Sequence, residues 1–528
     1  GCVSTNWATP GNWADGSVPT AADDATIPNV ANDPLIMGST AALARSVLVQ
    51  AGAMLTINAM GSLTINNSAV HGLDNYGTVD NSGDIIVGNT TAFGNNNGVF
   101  QRSGALFSNN AGASLTINAA YIGILNAGTT NNTGTIVIGN ISSLIHDGIQ
   151  NGGIFNNNIG GTININRTGG FGGVNNSGTF TNAGGITIGD VAISSQDALE
   201  NYGTFINAAT GEISVDRGAN GIWHIVGTFQ NSGKITVGSI ANTGTGILSL
   251  VPFTNNAGAE IHIDRAGSGI VSTNAFTNAG LIRMGENAPL TGSGIANVQG
   301  VNAVFNNNAG GDISIKQTAV NGVMNEANST FNNNACATLS IFDNLNNSGT
   351  FTNAGLFTVN TTQAHTNSVL TNNGIIEYPQ GNPIPNVTNN EIIIAPTTAN
   401  ACDVISPAFI LGSPVDFTIM GIFTDEAATM SAGTYVTATN TFTPTTLLVD
   451  GVRTYYVKVM DGIGACTRII PWQLTTEDCC PATGAIWYVN AAAAPGDNGA
   501  SWDCAFQDLQ LALAAASSGH QIWVAAGS

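Results

Sequence analysis

The chain has 528 residues, 43% hydrophobic and only 8% charged, with 11 Lys and Arg against 32 Asp and Glu, a net charge of -21. That balance excludes a nucleic-acid binder, which needs a cationic footprint, and a polybasic anchor for anionic lipid; no run approaches the roughly 18 apolar residues of a membrane helix. Length alone allows about three or four domains, and an apolar fraction this high combined with abundant Asn, Gly and Thr suits stacked strands, whose corners need left-handed backbone and whose amides can ladder.

The chain opens at Gly1-Cys2 with no basic start and no apolar run, so it reads as a mature or trimmed sequence. Residues 1–50 are expected to form a cap and the first strands, because an open solenoid end exposes strand edges and core. They carry Asn6-Trp7, Gly11-Asn12-Trp13 and Val18-Pro19-Thr20, followed by Asp23-Asp24 and Ile27-Pro28. This motif resembles the opening of large secreted surface proteins of Bacteroidota. The Asp pair reads as turn capping, with cation binding as the alternative.

Residues 51–378 repeat one phrase. It appears as Phe180-Thr-Asn182-Ala-Gly184-Gly-Ile186-Thr-Ile188 and again as Phe229-Gln-Asn231-Ser-Gly233-Lys-Ile235-Thr-Val237. The anchor falls at Val79, Phe107, Thr130, Phe155, Phe180, Phe205, Phe229, Phe253, Phe276, Phe305, Phe331 and Phe351, at spacings of 20 to 29 residues. Weaker coils are expected at Leu55-Thr-Ile57, at Leu63-Thr-Ile65 and at Leu370. An aliphatic-x-Asn piece precedes each anchor, as in Leu199-Glu-Asn201. Three extended pieces per repeat, separated by Gly or Asn corners, predict a right-handed, three-sided parallel β-helix. Period-2 alternation sends Phe and the aliphatics inward. At the spacing of stacked strands, some 15 coils span about 70 Å. Alternate coils end in Gly (Gly139, Gly189, Gly238, Gly285) or in a polar group (Asn166-Arg167, Asp216-Arg217, Asp264-Arg265). The amides of Asn182, Asn207, Asn231, Asn255 and Asn278, continuing through Asn307, Asn333 and Asn353, are predicted to form one corner ladder.

Periodicity stops near Tyr378, and residues 379–390 read as a semi-stiff linker. Residues 391–478 change to short alternating strands such as Thr454–Val459, the pattern of a β-sandwich. The run from Gly421 through Tyr435 and Tyr456 to Cys466 resembles the immunoglobulin-like spacers of the same surface proteins; Cys402 and Cys466 bracket this segment and are expected to pair. Residues 479–528 read as strand, amphipathic helix (Ala505–Ala516) and strand, beginning at Trp487-Tyr-Val-Asn490 and ending at Gln521-Ile-Trp-Val-Ala525. They resemble the start of a pectin-lyase-like parallel β-helix, a short α/β cap of a second module whose coils would follow in a longer natural chain. Cys504 is expected to pair with Cys479 or Cys480. None of the seven cysteines has metal-site spacing, and disulfides fit an oxidising compartment. Cys2 and Cys336, the latter replacing a turn Gly, are each open to a free, paired or inter-chain state.

Catalysis needs converging carboxylates or a carboxylate with a base. The best candidate column is Glu212, Asp216 and Arg217 with Glu260, Asp264 and Arg265, extended by Asn166 and Arg167. It reads either as a glycan-contact face or as an exposed charge ladder that keeps a strand edge soluble. His224 occupies the inner Asn position and is expected to take over its hydrogen bonds. No nucleophile elbow, phosphate loop, metal site or cofactor motif is present in the sequence. The all-β reading is therefore a non-enzymatic extracellular structural or adhesive cell-surface protein. Its expected partners are glycans, other surface proteins or further copies of itself, without nucleic acid or membrane insertion. The resemblance to Bacteroidota surface proteins implies type IX secretion. A self-assembling filament or sheath subunit and a carbohydrate-active β-helix are the rival readings; an ice or mineral binder ranks last, because the middle residue of the Ile-x-Ile strand varies.

Overall fold

The structure, a computed structural model, describes residues 3–66, 71–88, 96–141, 146–169, 172–192, 196–241, 243–298, 303–379, 382–389, 392–394, 397–400, 410–411, 417–438, 441–445, 451–461, 466–477, 484–493, 498–502 and 504–526. The chain divides into two compact units, Gly1–Asn390 and Glu391–Ser528.

The first unit is a right-handed-like parallel β-solenoid of three sheets. Each coil contributes one strand to each sheet. The first sheet has 15 strands, from Asp24–Ile27 to Thr366–Asn367, and the second has 16, from Leu35–Ile36 to Val387–Asn389. The third runs as an open ladder from Ala41–Ala44 to Ile375–Glu377. Solenoid winding thus begins at Asp24, inside the segment read as cap and first strands. Strand after strand alternates buried and outward residues, as in Thr179–Asn182 and Glu260–Ile263. The period of 2 seen in the sequence is the period of the core.

Register is strict. Phe107 lies between Val79 and Thr130, and Phe229 between Phe205 and Phe253, so the anchors form a single column. One reading needs correction. Leu55-Thr-Ile57 and Leu63-Thr-Ile65 are two faces of one coil, because Met54–Ile57 pairs with the Phe sheet at Thr78–Asn81 while Ser62–Ile65 pairs with the third sheet at Asp84–Val87. Both segments read aliphatic-x-aliphatic, a pattern that does not distinguish the sheets.

From Phe155 to Phe351 nine rings stack without a break, with neighbouring centroids 4.7 to 4.9 Å apart and planes within 15° of parallel. The centroid separation is the strand spacing itself. Ring planes in van der Waals contact sit closer than this, about 3.5–4.0 Å, so the rings are offset, the favourable arrangement for their quadrupoles.

Some corners between sheets bring successive coils too close for a Cβ, and others leave room. At Gly238 the backbone is left-handed (φ 70°) and an added Cβ would lie 1.9 Å from the Asp264 carbonyl oxygen of the next coil. At Gly258 φ is 78° but nothing lies within 4 Å. That open space explains how Cys336 holds the equivalent corner with φ 61°. Gly258→Ala is therefore expected to cost only the left-handed strain, about 1–2 kcal/mol. Gly238→Ala should cost clearly more, since two backbones must separate. Paired chemical-unfolding curves check the order, and equal losses would refute the corner argument.

In the second unit, Thr397–Asn400, Thr467–Glu477, Gly451–Asp461 and Phe417–Phe423 form a four-stranded sheet. The hairpin Gly433–Val436 with Thr441–Pro444 sets buried Phe442 against Tyr455 and Trp472 of that sheet. Ile486–Val489 pairs in parallel with Gln521–Val524. The helix between them is shorter than expected, Leu509–Ala515, because the Asp508 side chain caps it by accepting from the Gln510 N–H at 2.8 Å.

Candidate functional site

The most ordered polar feature is internal. Asn182, Asn207, Asn231, Asn255 and Asn278 are all 0% exposed. Each Nδ2 donates to the next Oδ1 at 2.7–2.8 Å, and Asn278 passes the chain on to Asn307. The same amides also donate to carbonyls of the third sheet, for example Asn207 to Lys234 O at 3.2 Å. The ladder is longer than the sequence reading: among the described residues it runs from Asn81 as far as Asn372. Burial without such partners costs about 1–3 kcal/mol per group, so the repeat of Asn is a condition of stacking.

A second ladder lines the first sheet, from Asn126 through Asn151 and Asn176 to Asn201. There His224 takes over, as its position implied. Asn201 Nδ2 donates to His224 Nδ1 at 3.1 Å, which makes Nε2 the protonated nitrogen, donating to Pro252 O at 3.1 Å. Burial holds this imidazole below its ordinary pKa, in the neutral form the ladder needs. Ser249 and Ser272 then interrupt the ladder, because each hydroxyl donates to a carbonyl of its own corner. Asn297 restarts it, and its Oδ1 is left without a donor.

The charged column does not form one face. Glu212 and Glu260 do share a column on the third sheet, two coils apart, with Lys234 in register between them. Lys234 is absent from the sequence reading, although its place one residue before the first inward aliphatic (Ile235) matches that of Glu212 before Ile213 and Glu260 before Ile261. Asp216 and Asp264 instead turn into the corners, 2% and 7% exposed. Asp216 accepts from Ser239 Oγ at 2.8 Å and the Ile240 N–H at 2.7 Å. Asp264 accepts from the Asn287 N–H and Nδ2 at 3.1 and 2.9 Å. The arginines reach back to the preceding coil: Arg167 donates to Asn140 O at 2.7 Å, Arg217 to Gly189 O at 2.5 Å, and Arg265 to the Gly238 and Ser239 carbonyls. Acid and base thus serve opposite directions of the stack, each tying its corner to an adjacent coil.

A different carboxylate group stands out on the first sheet. Glu200 is pushed up to about 7 by burial first and then by the nearby charges of Asp197 and Asp147. Glu377 is pushed up to about 7 by burial. Asp147 and Asp197 are raised as well, again by burial first. These folded values lie above the ordinary 4.5 of Glu, so the stability they contribute is complete below pH 4.5 and is lost as pH rises through 7. Asp23 and Asp24 are shifted the other way, but from 3.8 downward, outside that window. Burial lowers His71, His224 and His365 below 6.5, so protonating them costs stability as pH falls and opposes the two glutamates. The glutamate effect is therefore read as a difference: the melting temperature of the wild type minus that of the double variant Glu200→Gln, Glu377→Gln is expected to rise as pH falls from about 8 to about 5, and a difference that does not change with pH would refute the assignment.

Cys336, Cys466 and Cys504 are disulfide-bonded, so of the states open to Cys336 it takes the paired one. The partners expected for the other two, Cys402 and Cys480 (or Cys479), lie outside the described residues, as does Cys2. Among the described residues no three His, Cys, Asp or Glu side chains are grouped to hold a metal ion, and no helix is long and apolar enough to cross a membrane. Residues 1–106 match the family described as Domain of unknown function (DUF8693). No curated protein and no solved structure matches the chain. The matched segment spans the motif at Asn6-Trp7 and Trp13 together with the first coils of the solenoid, up to the start of the strand Leu106–Asn109.

Proposed function

We propose that this chain is a non-enzymatic, extracellular structural or adhesive surface protein whose solenoid acts as a rigid stalk. The carrying observation is continuity. Phe229 and Asn207 each sit in a buried column that passes from coil to coil, so that deforming one coil disturbs its neighbours. Of the candidate charged groups, Asp216, Asp264 and Arg217 are committed to the corners of the stack, while Glu212 and Glu260 are separated by Lys234 on the strand face. In this reading the second unit supplies an immunoglobulin-like spacer and then the opening of another β-helix. Leu509, Leu513 and Trp523 are exposed there. Export by the type IX route and contact with glycans or other surface proteins belong to the same proposal.

Low-dose imaging of native cells labelled against residues 1–390 tests it. Label on the outer surface, at the end of or along thin projections, is the expected result. Label confined to the cell interior sinks the proposal. Loss of polysaccharide turnover on Glu212→Gln or Asp216→Asn would favour the enzymatic reading.

A further inference from the structure

Between the N-terminal segment and the first solenoid strand lies a cleft of about 530 Å³. That lies within the roughly 300–1,000 Å³ of small-ligand sites. Its walls include Trp7, Trp13, Pro19, Pro28 and Pro34, and its polar lining includes Asp15 and Asp23. Trp13 is fixed from two sides: its Nε1 donates to Trp7 O at 2.9 Å, and its ring meets Trp7 edge-on at 4.7 Å. Trp7 is 1% exposed and backs the pair, while the partly exposed Trp13 ring borders the cleft.

The carboxylates are half used. Asp23 accepts from the Thr20 N–H and hydroxyl through Oδ2 alone, and Asp15 accepts from the Ser17 N–H through Oδ1 alone. Among the described residues, Asp23 Oδ1 and Asp15 Oδ2 have no donor. Asp24 is fully committed to Arg45 and Ser46. No Lys, Arg or His lines the cleft, which disfavours any anionic ligand. A carboxylate pair can only accept, so the ligand must bring donors. It must also bring a flat apolar face to match the indole. An alkylammonium offers the donor without the face. A pyranose offers both, with hydroxyl donors at its rim and a C–H face.

We infer that the cap cleft binds a neutral saccharide unit, stacked on Trp13 and held through its hydroxyls by Asp15 and Asp23. The inference rests on the adhesive part of the proposed function and places binding in a pocket at one end of the stalk. The test is calorimetric titration of the full chain with cellotriose, mannotriose and laminaritriose, alongside trigalacturonate and trilysine. At least one neutral trisaccharide is expected to bind with one site per chain. Trp13→Ala should weaken it about tenfold or more, a loss of about 1.4 kcal/mol. Asp15→Ala, an exposed change that leaves the cap packing alone, should weaken it severalfold, and Glu212→Gln should leave it unchanged. Absence of neutral-sugar binding up to about 10 mM, binding of trilysine alone, or affinity untouched by Asp15→Ala would each overturn the site. None of these outcomes bears on the stalk reading, which stands or falls on surface location.

Discussion

Replacing Phe229 by alanine is expected to destabilise the solenoid by about 3–5 kcal/mol. The side chain is 1% exposed, in register between Phe205 and Phe253. Its ring lies 4.8 Å from one and 4.7 Å from the other, so truncation removes two ring contacts as well as burial. Each such contact adds about 0.5–1.5 kcal/mol beyond area. Neither neighbour can close the gap, because the strand ladder fixes both at one coil spacing from the vacancy. In a repeat array the loss is felt as a weakened nearest-neighbour interface, so the array can split there. Hydrogen exchange should accelerate most in the strands carrying Phe205, Phe229 and Phe253, and the denaturant transition should broaden or become two steps. A uniform shift of the whole transition with no local change in exchange would mean the column does not act coil by coil.

The column also shows which parts of the fold are legible in a sequence. A side chain that recurs once per coil at the same depth writes its own period, so Phe180, Phe205 and Phe229 could be aligned by eye, as could Asn182, Asn207 and Asn231. His224 was placed correctly for the same reason: it stands in an Asn column and its ring can both accept and donate. Corners are different. Beyond the last residue of a strand the alternation of faces ends, and nothing in the string Val215-Asp216-Arg217 states that Asp216 turns inward while Arg217 reaches to the coil before it. Those directions follow from which neighbouring backbone N–H and carbonyl groups are left unpaired, and that depends on the stacked partner. Glu212 and Glu260 lie on a strand, where spacing is informative, and they do share a column. The cap cleft was not legible at all, since Trp7, Asp15, Asp23 and Pro34 come together from an irregular segment with no period. Trp7 and Trp13 were noticed only as parts of a motif, and the two open carboxylate oxygens emerge only with the coordinates.

Replacing Asn207 by aspartate should be nearly as damaging as the Phe229 change at neutral pH, and the damage should depend on pH. The substitution keeps shape and keeps the acceptor for Asn182 Nδ2. It removes the donor to Asn231 Oδ1, Gly211 O and Lys234 O, and turns a carboxylate oxygen toward those acceptors. An uncompensated charge in a site 0% exposed carries a cost of about 3–5 kcal/mol. The group escapes by taking up a proton, which raises its folded pKa far above the ordinary value near 4. Protonated, it donates once and restores part of the ladder. A raised carboxylate pKa means that stability is retained at low pH and lost as pH rises through the folded value. The gap between wild type and Asn207→Asp should therefore be small near pH 4 and widen toward pH 8. Asn207→Ala, with nothing to titrate, should show a gap that does not change with pH. If the two variants track each other across that range, the amide at this position is not the donor that binds one coil to the next, and the ladder is a consequence of stacking rather than one of its causes.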